Sequence, residues 1–233
     1  MMFVAKPSFP SPGGGVPLWI APQTNLSNDS PGLLVSRLSY DCPSEGDCPD
    51  GPIDDNVQVT GAGAFIEGNG AQNFVGLRQP LVWAEGESYT VTLGRGEAAG
   101  AWDWIDVSIT TESTGETIDA GRIKLERSAP ADPVTFPTTF ETEVVLYSYG
   151  VQYGAPPQPA PNVDYEDLPT WAFEAWYQVG GSDPESAVST YNLDEDGADF
   201  DNIEIQGRDG RVFVGVGRDI GRCSADGALI PPP

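Results

Sequence analysis

The chain has 233 residues, with 11 Lys and Arg against 35 Asp and Glu, a formal net charge of −24 and no histidine. A surface this acidic repels polyanions and anionic lipids, so we expect no nucleic acid and no membrane as partner. Without histidine, the chain lacks the base of Ser-His-Asp and Cys-His nucleophile systems and the imidazole ligands of zinc sites. The 28 glycines and 22 prolines oppose long helices and favour a turn-rich all-β fold.

Residues 1–32 are predicted to form an extended arm, because prolines recur through them and three glycines stand at 13–15. We expect this arm to contact protein assembly partners. Residues 1–7 show no basic stretch followed by an apolar one, which predicts no signal peptide. An extracellular or virion-surface location would then be reached by another route, as by a virion component, or after removal of a processed segment.

Two cysteines, Cys42 and Cys48, bracket a short loop of Pro, Gly and acidic residues that a disulfide would close. Cys223 stands alone near the end of the sequence. One bridge with one spare thiol and three reduced thiols are equally compatible with this spacing.

From Leu33 onward, short apolar or alternating segments bounded by turn residues predict strands. The clearest is 104–110, with Ile105, Val107 and Ile109 on one face, followed by a turn and a second strand over 117–125. A further strand is predicted at 144–149, a hairpin at 203–216 with its turn at 207–210, and a Pro-rich connector at 155–161. Residues 171–179 form a strand or a short helix, and their aromatic residues favour the strand. The pattern predicts an antiparallel β-sandwich or jelly roll over residues 33–222, with Pro/Gly-rich arms at 1–32 and 223–233.

Two motifs lie in the first half of this region: EGNGAQ at 67–72 and WAEGESY at 83–89. They resemble a family of bacterial extracellular domains of unknown function that carry an EGxGxQ stretch and then a WxxGxxY strand. The resemblance covers residues 33–149, although the family's first strands are missing and the loop with Cys42 and Cys48 has no counterpart. It implies a concanavalin-like, lectin-like β-sandwich of the kind attached to carbohydrate-related proteins, and it implies no known activity.

Tryptophans and carboxylates suggest a glycan site. Trp102 and Trp104 share one face if the strand predicted at 104–110 extends back to residue 102, with Asp103 and Asp106 nearby. Indole rings stack on sugar CH faces while carboxylates bind hydroxyl groups. Alternatively, the tryptophans are core or interface anchors of a sandwich.

An acidic segment near residue 195 resembles a calcium-binding loop. Its oxygen-bearing side chains alternate and a glycine follows at 197, whereas the twelfth position is occupied by isoleucine. Two interpretations remain: a Ca²⁺ site in an irregular loop, or a solvated acidic turn. The candidate ligands are Asn192, Asp194, Asp196, Asp199 and Asp201.

Two functional classes follow from these patterns. The first is a non-enzymatic structural or interaction protein on the surface of a particle or cell, such as a phage virion decoration or fibre component. The alternative is a secreted carbohydrate-binding module. A carboxylate-based glycosidase ranks third: the mechanism needs two positioned carboxylates, and with 35 acidic residues candidates arise by number alone. Those candidates are Glu67, Glu141, Glu143 and Glu174.

Overall fold

Antiparallel strands make up nearly all the regular structure that the computed structural model describes, with almost no helix. The prediction of an all-β sandwich is therefore confirmed. None of the described residues forms a helix long and apolar enough to cross a bilayer. The described residues are 2–11, 14–23, 30–38, 55–69, 74–84, 86–137, 140–145, 171–174, 176–177, 185–186, 189–190, 203–208, 211–216 and 229–230.

The chain divides into two compact units, residues 1–147 and 148–233. The first unit carries ten of the described strands. They are β1 (Met2–Ser11), β2 (Gly14–Gln23), β3 (Gly32–Leu38), β4 (Val57–Val59), β5 (Phe65–Asn69), β6 (Phe74–Pro80), β7 (Tyr89–Ala99), β8 (Trp102–Thr111), β9 (Glu116–Glu126) and β10 (Phe140–Val145).

These strands form two antiparallel sheets. The six-stranded sheet has the order β10, β1, β2, β3, β6 and β5, and the four-stranded sheet has the order β4, β9, β8 and β7. The hairpin predicted around residue 114 is confirmed, since β8 pairs with β9 from Trp102 opposite Glu126 to Thr111 opposite Glu116.

One hydrophobic core joins the two sheets. Because side chains alternate between the faces of a strand, Leu33 and Val35 of β3 point inward, and Leu77 of β6 lies opposite Val35. Burying each such side chain contributes about 1.5–3 kcal/mol. The buried core residues are Phe9, Leu18, Leu33, Val35, Val57, Val75, Leu77, Ile105, Val107, Ile109, Ala120, Ile123, Leu125 and Val134.

The prediction of an extended arm over residues 1–32 is wrong for residues 2–11 and 14–23, which form β1 and β2. Both strands lie inside the six-stranded sheet, each with a neighbour on either side. Phe9 and Leu18 are completely buried in the core. The start of the chain therefore belongs to the sandwich.

The prolines of β1 and β2 are tolerated because each lies where one neighbouring strand is not paired. The β1–β10 register ends at Pro7, so Pro10 pairs only with β2. The β2–β3 register begins at Leu18, just beyond Pro17. Residues 6–7 of β1 and 21–22 of β2 have no partner in the β1–β2 pairing, and Pro7 and Pro22 lie in these two gaps. A missing N–H costs no sheet hydrogen bond at such places.

Replacing Leu18 with alanine tests this correction. Loss of a fully buried leucine is expected to lower the free energy of unfolding by about 2–5 kcal/mol in urea denaturation. Ser8→Ala, at an exposed position of β1, is the control and should change it by less than about 0.5 kcal/mol. If Leu18→Ala were as stable as the parent, β2 would not belong to the core.

The second unit contains short antiparallel pairs. The aromatic segment predicted as a strand contains β11 and β12, and the hairpin predicted at 203–216 is present as β15 and β16, with Ile205 opposite Val214. Part of the predicted tail, β17, pairs with β14. The strands are β11 (Trp171–Glu174), β12 (Trp176–Tyr177), β13 (Glu185–Ser186), β14 (Ser189–Thr190), β15 (Ile203–Arg208), β16 (Arg211–Val216) and β17 (Leu229–Ile230).

Candidate functional site on the four-stranded sheet

The predicted glycan residues are divided between the two faces of β8. Ile105 and Val107 point into the core. Asp103 lies on the same face of β8 as these two residues, so it points inward as well. Trp102, Trp104 and Asp106 lie on the outer face. The four residues therefore do not form one surface.

Trp104 lies beneath two cations of β9. Its residue surface is only 5% exposed, with the Arg122 Cζ atom 4.6 Å and the Lys124 Nζ atom 5.0 Å from the ring centroid. Arg122 is held in place by Gln58, whose Oε1 accepts from Nε at 2.8 Å, and by Glu97, whose Oε1 accepts from Nη1 at 2.9 Å. Cation–π contacts of this kind contribute about 0.5–2 kcal/mol. The indole anchors the outer face and does not offer a free ring to a sugar.

Asp106 remains accessible on the outer face, whereas the Trp102 ring packs on the buried Arg37. Trp102 is half-buried, with the Arg37 Cζ atom 5.3 Å from its ring, and Asp106 is exposed. Trp102 and Asp106 are four positions apart along β8, which separates their Cα atoms by about 13 Å. Opposite Asp106 lies Gly94, and a Cβ built there would meet nothing within 4 Å. The outer face therefore has open space beside an accessible carboxylate.

Asp103 is a structural carboxylate. Its Oδ1 accepts from Arg127 Nε at 2.9 Å and Nη2 at 2.5 Å, and its Oδ2 accepts from the Val134 backbone N–H at 2.7 Å. Burial acts to raise the pKa of Asp103, but the hydrogen bonds from Arg127 and Val134, with the charges of Arg127 and Arg95, outweigh it and hold that pKa below its ordinary value. Asp103 thus ties the loop after β9 to the sandwich.

Sequence reasoning missed Arg37, a buried arginine at an inward position of β3 that is 1% exposed. Its Nε donates to the Lys124 carbonyl at 2.7 Å, and its Nη2 donates to Asn56 Oδ1 at 3.2 Å. The Lys124 N–H donates in turn to the Asn56 carbonyl. Arg37 therefore supplies a hydrogen-bond donor to the Lys124 carbonyl of β9, beside the residue that precedes β4. The only sequence signal was a charge in phase with the buried residues of its strand.

Of the glycosidase candidates, Glu67 is engaged in an ion pair. Its Oε2 accepts from Arg78 Nε at 2.5 Å, and the Arg78 side chain is 9% exposed. The side chains of Glu141, Glu143 and Glu174 lie outside the described residues. Glu67 therefore acts as a partner of Arg78 between β5 and β6.

The WAEGESY motif has a structural explanation. The Trp83 and Tyr89 rings meet edge to face with centroids 5.0 Å apart. Trp83 Nε1 donates to the Gln23 carbonyl at 2.8 Å, and the Ala84 N–H donates to the Tyr89 hydroxyl at 3.0 Å. Gly86 has a φ of 74°, which favours glycine in the turn between them. The motif thus fastens the entry of β7 to the six-stranded sheet.

No group of three or more His, Cys, Asp or Glu residues able to hold a metal occurs among the residues that the structure describes. The predicted calcium loop and cysteines lie outside that part of the chain, so both remain predictions. They are Asn192, Asp194, Asp196, Asp199, Asp201, Cys42, Cys48 and Cys223.

No family model matches the chain, and no curated protein matches it. The resemblance to lectin-like bacterial domains stays a prediction that depends on the two motifs.

Proposed function

We propose that this protein is a non-enzymatic structural or interaction protein on the surface of a particle or cell. The observation that supports this role best is the use of two carboxylates, the buried Asp103 and the partly exposed Glu67. Asp103 binds Arg127 and the loop beyond it, and Glu67 binds Arg78. A catalytic carboxylate must instead meet a substrate, whereas these two hold strands and loops together.

The net charge of −24 is consistent with this proposal. It keeps a protein soluble and repels nucleic acid and anionic lipids, which leaves proteins and glycans as partners. A decoration or fibre component of a phage virion is one protein of this kind. Because β1 and β2 are strands of the sandwich, assembly contacts are proposed on the sandwich and not on an N-terminal arm.

Quantitative mass spectrometry of fractions from the source organism tests the location. Purified particles, washed cell envelopes, culture medium and cytosol are compared for copies of this chain. We expect enrichment at a fixed copy number in the particle or envelope fraction. Confinement to the cytosol would refute the proposal.

The second candidate function is glycan binding on the outer face of the four-stranded sheet. It is favoured by the open space at Gly94, which lies directly opposite the exposed Asp106. A carboxylate is one of the polar groups with which proteins bind sugar hydroxyl groups. Trp104 and Asp103 are not part of this smaller site.

A glycan array followed by calorimetry tests this alternative. If a glycan binds here, Gly94→Leu fills the open space and should weaken binding at least about tenfold, as the loss of one well-placed contact does. Thr117→Leu, exposed on β9 of the same sheet, is the control and should leave the affinity unchanged. Equal binding by both variants would place the glycan elsewhere.

A further inference from the structure

The edge strand β7 differs from the other edges of the sandwich. β4 has three residues, β5 contains Glu67, and β10 contains Glu141 and Glu143. Short length and charge are the usual protections of a sheet edge against pairing with another chain. The first five residues of β7, Tyr-Thr-Val-Thr-Leu over 89–93, carry no charge and no proline, and the bulge begins only after Arg95.

The backbone groups of β7 that point away from β8 follow from the register. The Glu112 N–H donates to the Ser88 carbonyl, and pairing then continues one residue at a time through Arg95 opposite Ile105. Hydrogen-bonded pairs alternate in an antiparallel ladder, so Tyr89, Val91 and Leu93 turn their N–H and C=O groups outward. Within the described part of the chain, these outward groups have no hydrogen-bond partner.

The side chains of the same three residues are only partly buried. Tyr89, Val91 and Leu93 pack on the core from its margin, and Val82, just before the turn into β7, is 77% exposed. The facing sheet is two strands wider. Since neighbouring strands are about 4.8 Å apart, the four-stranded sheet is narrower by the width of two strands. Part of the six-stranded sheet therefore has no strand facing it.

We propose that β7 is an assembly edge at which a second copy of this chain adds its own β7, antiparallel, about a two-fold axis at Val91. In this register, Val91 lies opposite Val91 of the second copy, and Tyr89 lies opposite Leu93. Thr90 lies opposite Thr92 on the outer face. Apolar residues therefore face apolar residues, and threonines face threonines. Both are favourable cross-strand pairs.

The ends of the paired segment are complementary in charge. Arg95 of one copy lies opposite Glu87 of the other, and the two-fold axis produces two such pairs. The hydrogen bonds that Ser113 and the Ser88 N–H donate to Glu87 hold its pKa below the ordinary value, so this carboxylate is charged at neutral pH. The outward groups of Tyr89, Val91 and Leu93 would exchange about six hydrogen bonds across the axis. The two sheets would join into one continuous sheet of eight strands.

The overall charge sets a condition on this pairing. Two chains of −24 each repel one another, and salt shortens the range of that repulsion to about 10 Å at 0.1 M. Exposed ion pairs such as Arg95 with Glu87 are individually weak, so screening of the net repulsion is the larger effect. Association therefore strengthens with added NaCl.

Sedimentation velocity of the full chain tests the pairing, at rising protein concentration in 50 and 500 mM NaCl. A monomer–dimer equilibrium that shifts toward dimer in the higher salt is expected. Val91→Pro removes an outward N–H without removing a bond to β8, and should raise the dimer dissociation constant at least about tenfold. Val91→Thr keeps the N–H and the shape of the side chain, and should dimerise like the parent.

A second variant guards against misfolding of the proline variant. Arg95→Glu places like charges opposite each other twice and should also weaken the dimer about tenfold or more. Because Arg95 also donates to the Val134 carbonyl at 3.4 Å, the urea unfolding of this variant is measured beside its dimerisation. Unchanged circular dichroism spectra would establish that both variants fold. A chain that stays monomeric throughout, or a dimer that neither variant weakens, overturns the proposal. The pairing gives a partner to the assembly role proposed above, but the dimer is measured in solution and the location in cell fractions, so either one fails without the other.

Discussion

Replacing Asp103 with alanine is expected to lower the free energy of unfolding by about 3–5 kcal/mol, the cost of removing one partner from a buried ion pair. The Asp103 side chain is 2% exposed and that of Arg127 is 14% exposed. Without the carboxylate, the guanidinium and the Val134 N–H both lose their acceptor. Urea denaturation followed by tryptophan fluorescence measures the loss.

The pH dependence of this contribution has a defined sign. The pKa of Asp103 is lower in the folded protein than in the unfolded chain, where it is about 3.9. Its contribution to stability is therefore fully present above that value and is lost as the pH falls through the folded pKa. The stability difference between the parent and Asp103→Asn should stay constant from about pH 8 to pH 5 and shrink below about pH 4.

Asp106→Asn is the matched control for Asp103. It changes an exposed carboxylate on the same strand and should alter stability by less than about 0.5 kcal/mol. Equal effects of the two substitutions would mean that Asp103 is not held as an ion pair in the folded protein.

Gly121→Ala is expected to destabilise the sandwich by about 2–5 kcal/mol, from strained backbone and overpacking together. Gly121 has a φ of 137°, and a Cβ there would lie 2.1 Å from the Gln58 carbonyl oxygen and 2.9 Å from the Val59 Cα atom. Both obstacles are backbone atoms of β4, so the strand itself must move. A thermal melt of the variant beside the parent measures the effect.

Gly94→Ala provides the comparison for this prediction. Gly94 lies in β7 of the same sheet, where a Cβ meets open space. The alanine there should be neutral or stabilising by a few tenths of a kcal/mol, because it restricts the unfolded chain. If Gly121→Ala melted like Gly94→Ala, the close approach of β4 and β9 would be wrong.

Local alternation was enough to predict β8 but not the whole of β9. Ile105, Val107 and Ile109 keep one phase along β8, and all are buried. In β9 the register shifts beside Val107, so both Ala120 and Ile123 reach the core although they differ in phase. A bulge of this kind depends on the partner strands, and the sequence of one strand does not reveal it.

The candidate site was harder to predict because its partners are distant in sequence. The carboxylate of Asp103 is explained by Arg127, and the indole of Trp104 is covered by Arg122 and Lys124 on the next strand. The sequence analysis grouped Asp103 with the two tryptophans as a glycan ligand, although it is out of phase with them along β8. A charge at an inward position is tolerated only with a partner. The tertiary fold supplies that partner.

Pairing of β1 with β10 sets the order of events during synthesis. Met2 of β1, the first strand of the unit, lies opposite Val145 of β10, its last strand. By contrast, β7, β8 and β9 pair with their immediate neighbours in sequence. Contacts between distant segments form late because a long loop must close first. The six-stranded sheet is therefore completed only after residue 145 has left the ribosome. Until then β1 presents an open edge to other nascent chains, the condition under which incomplete β-sheets aggregate.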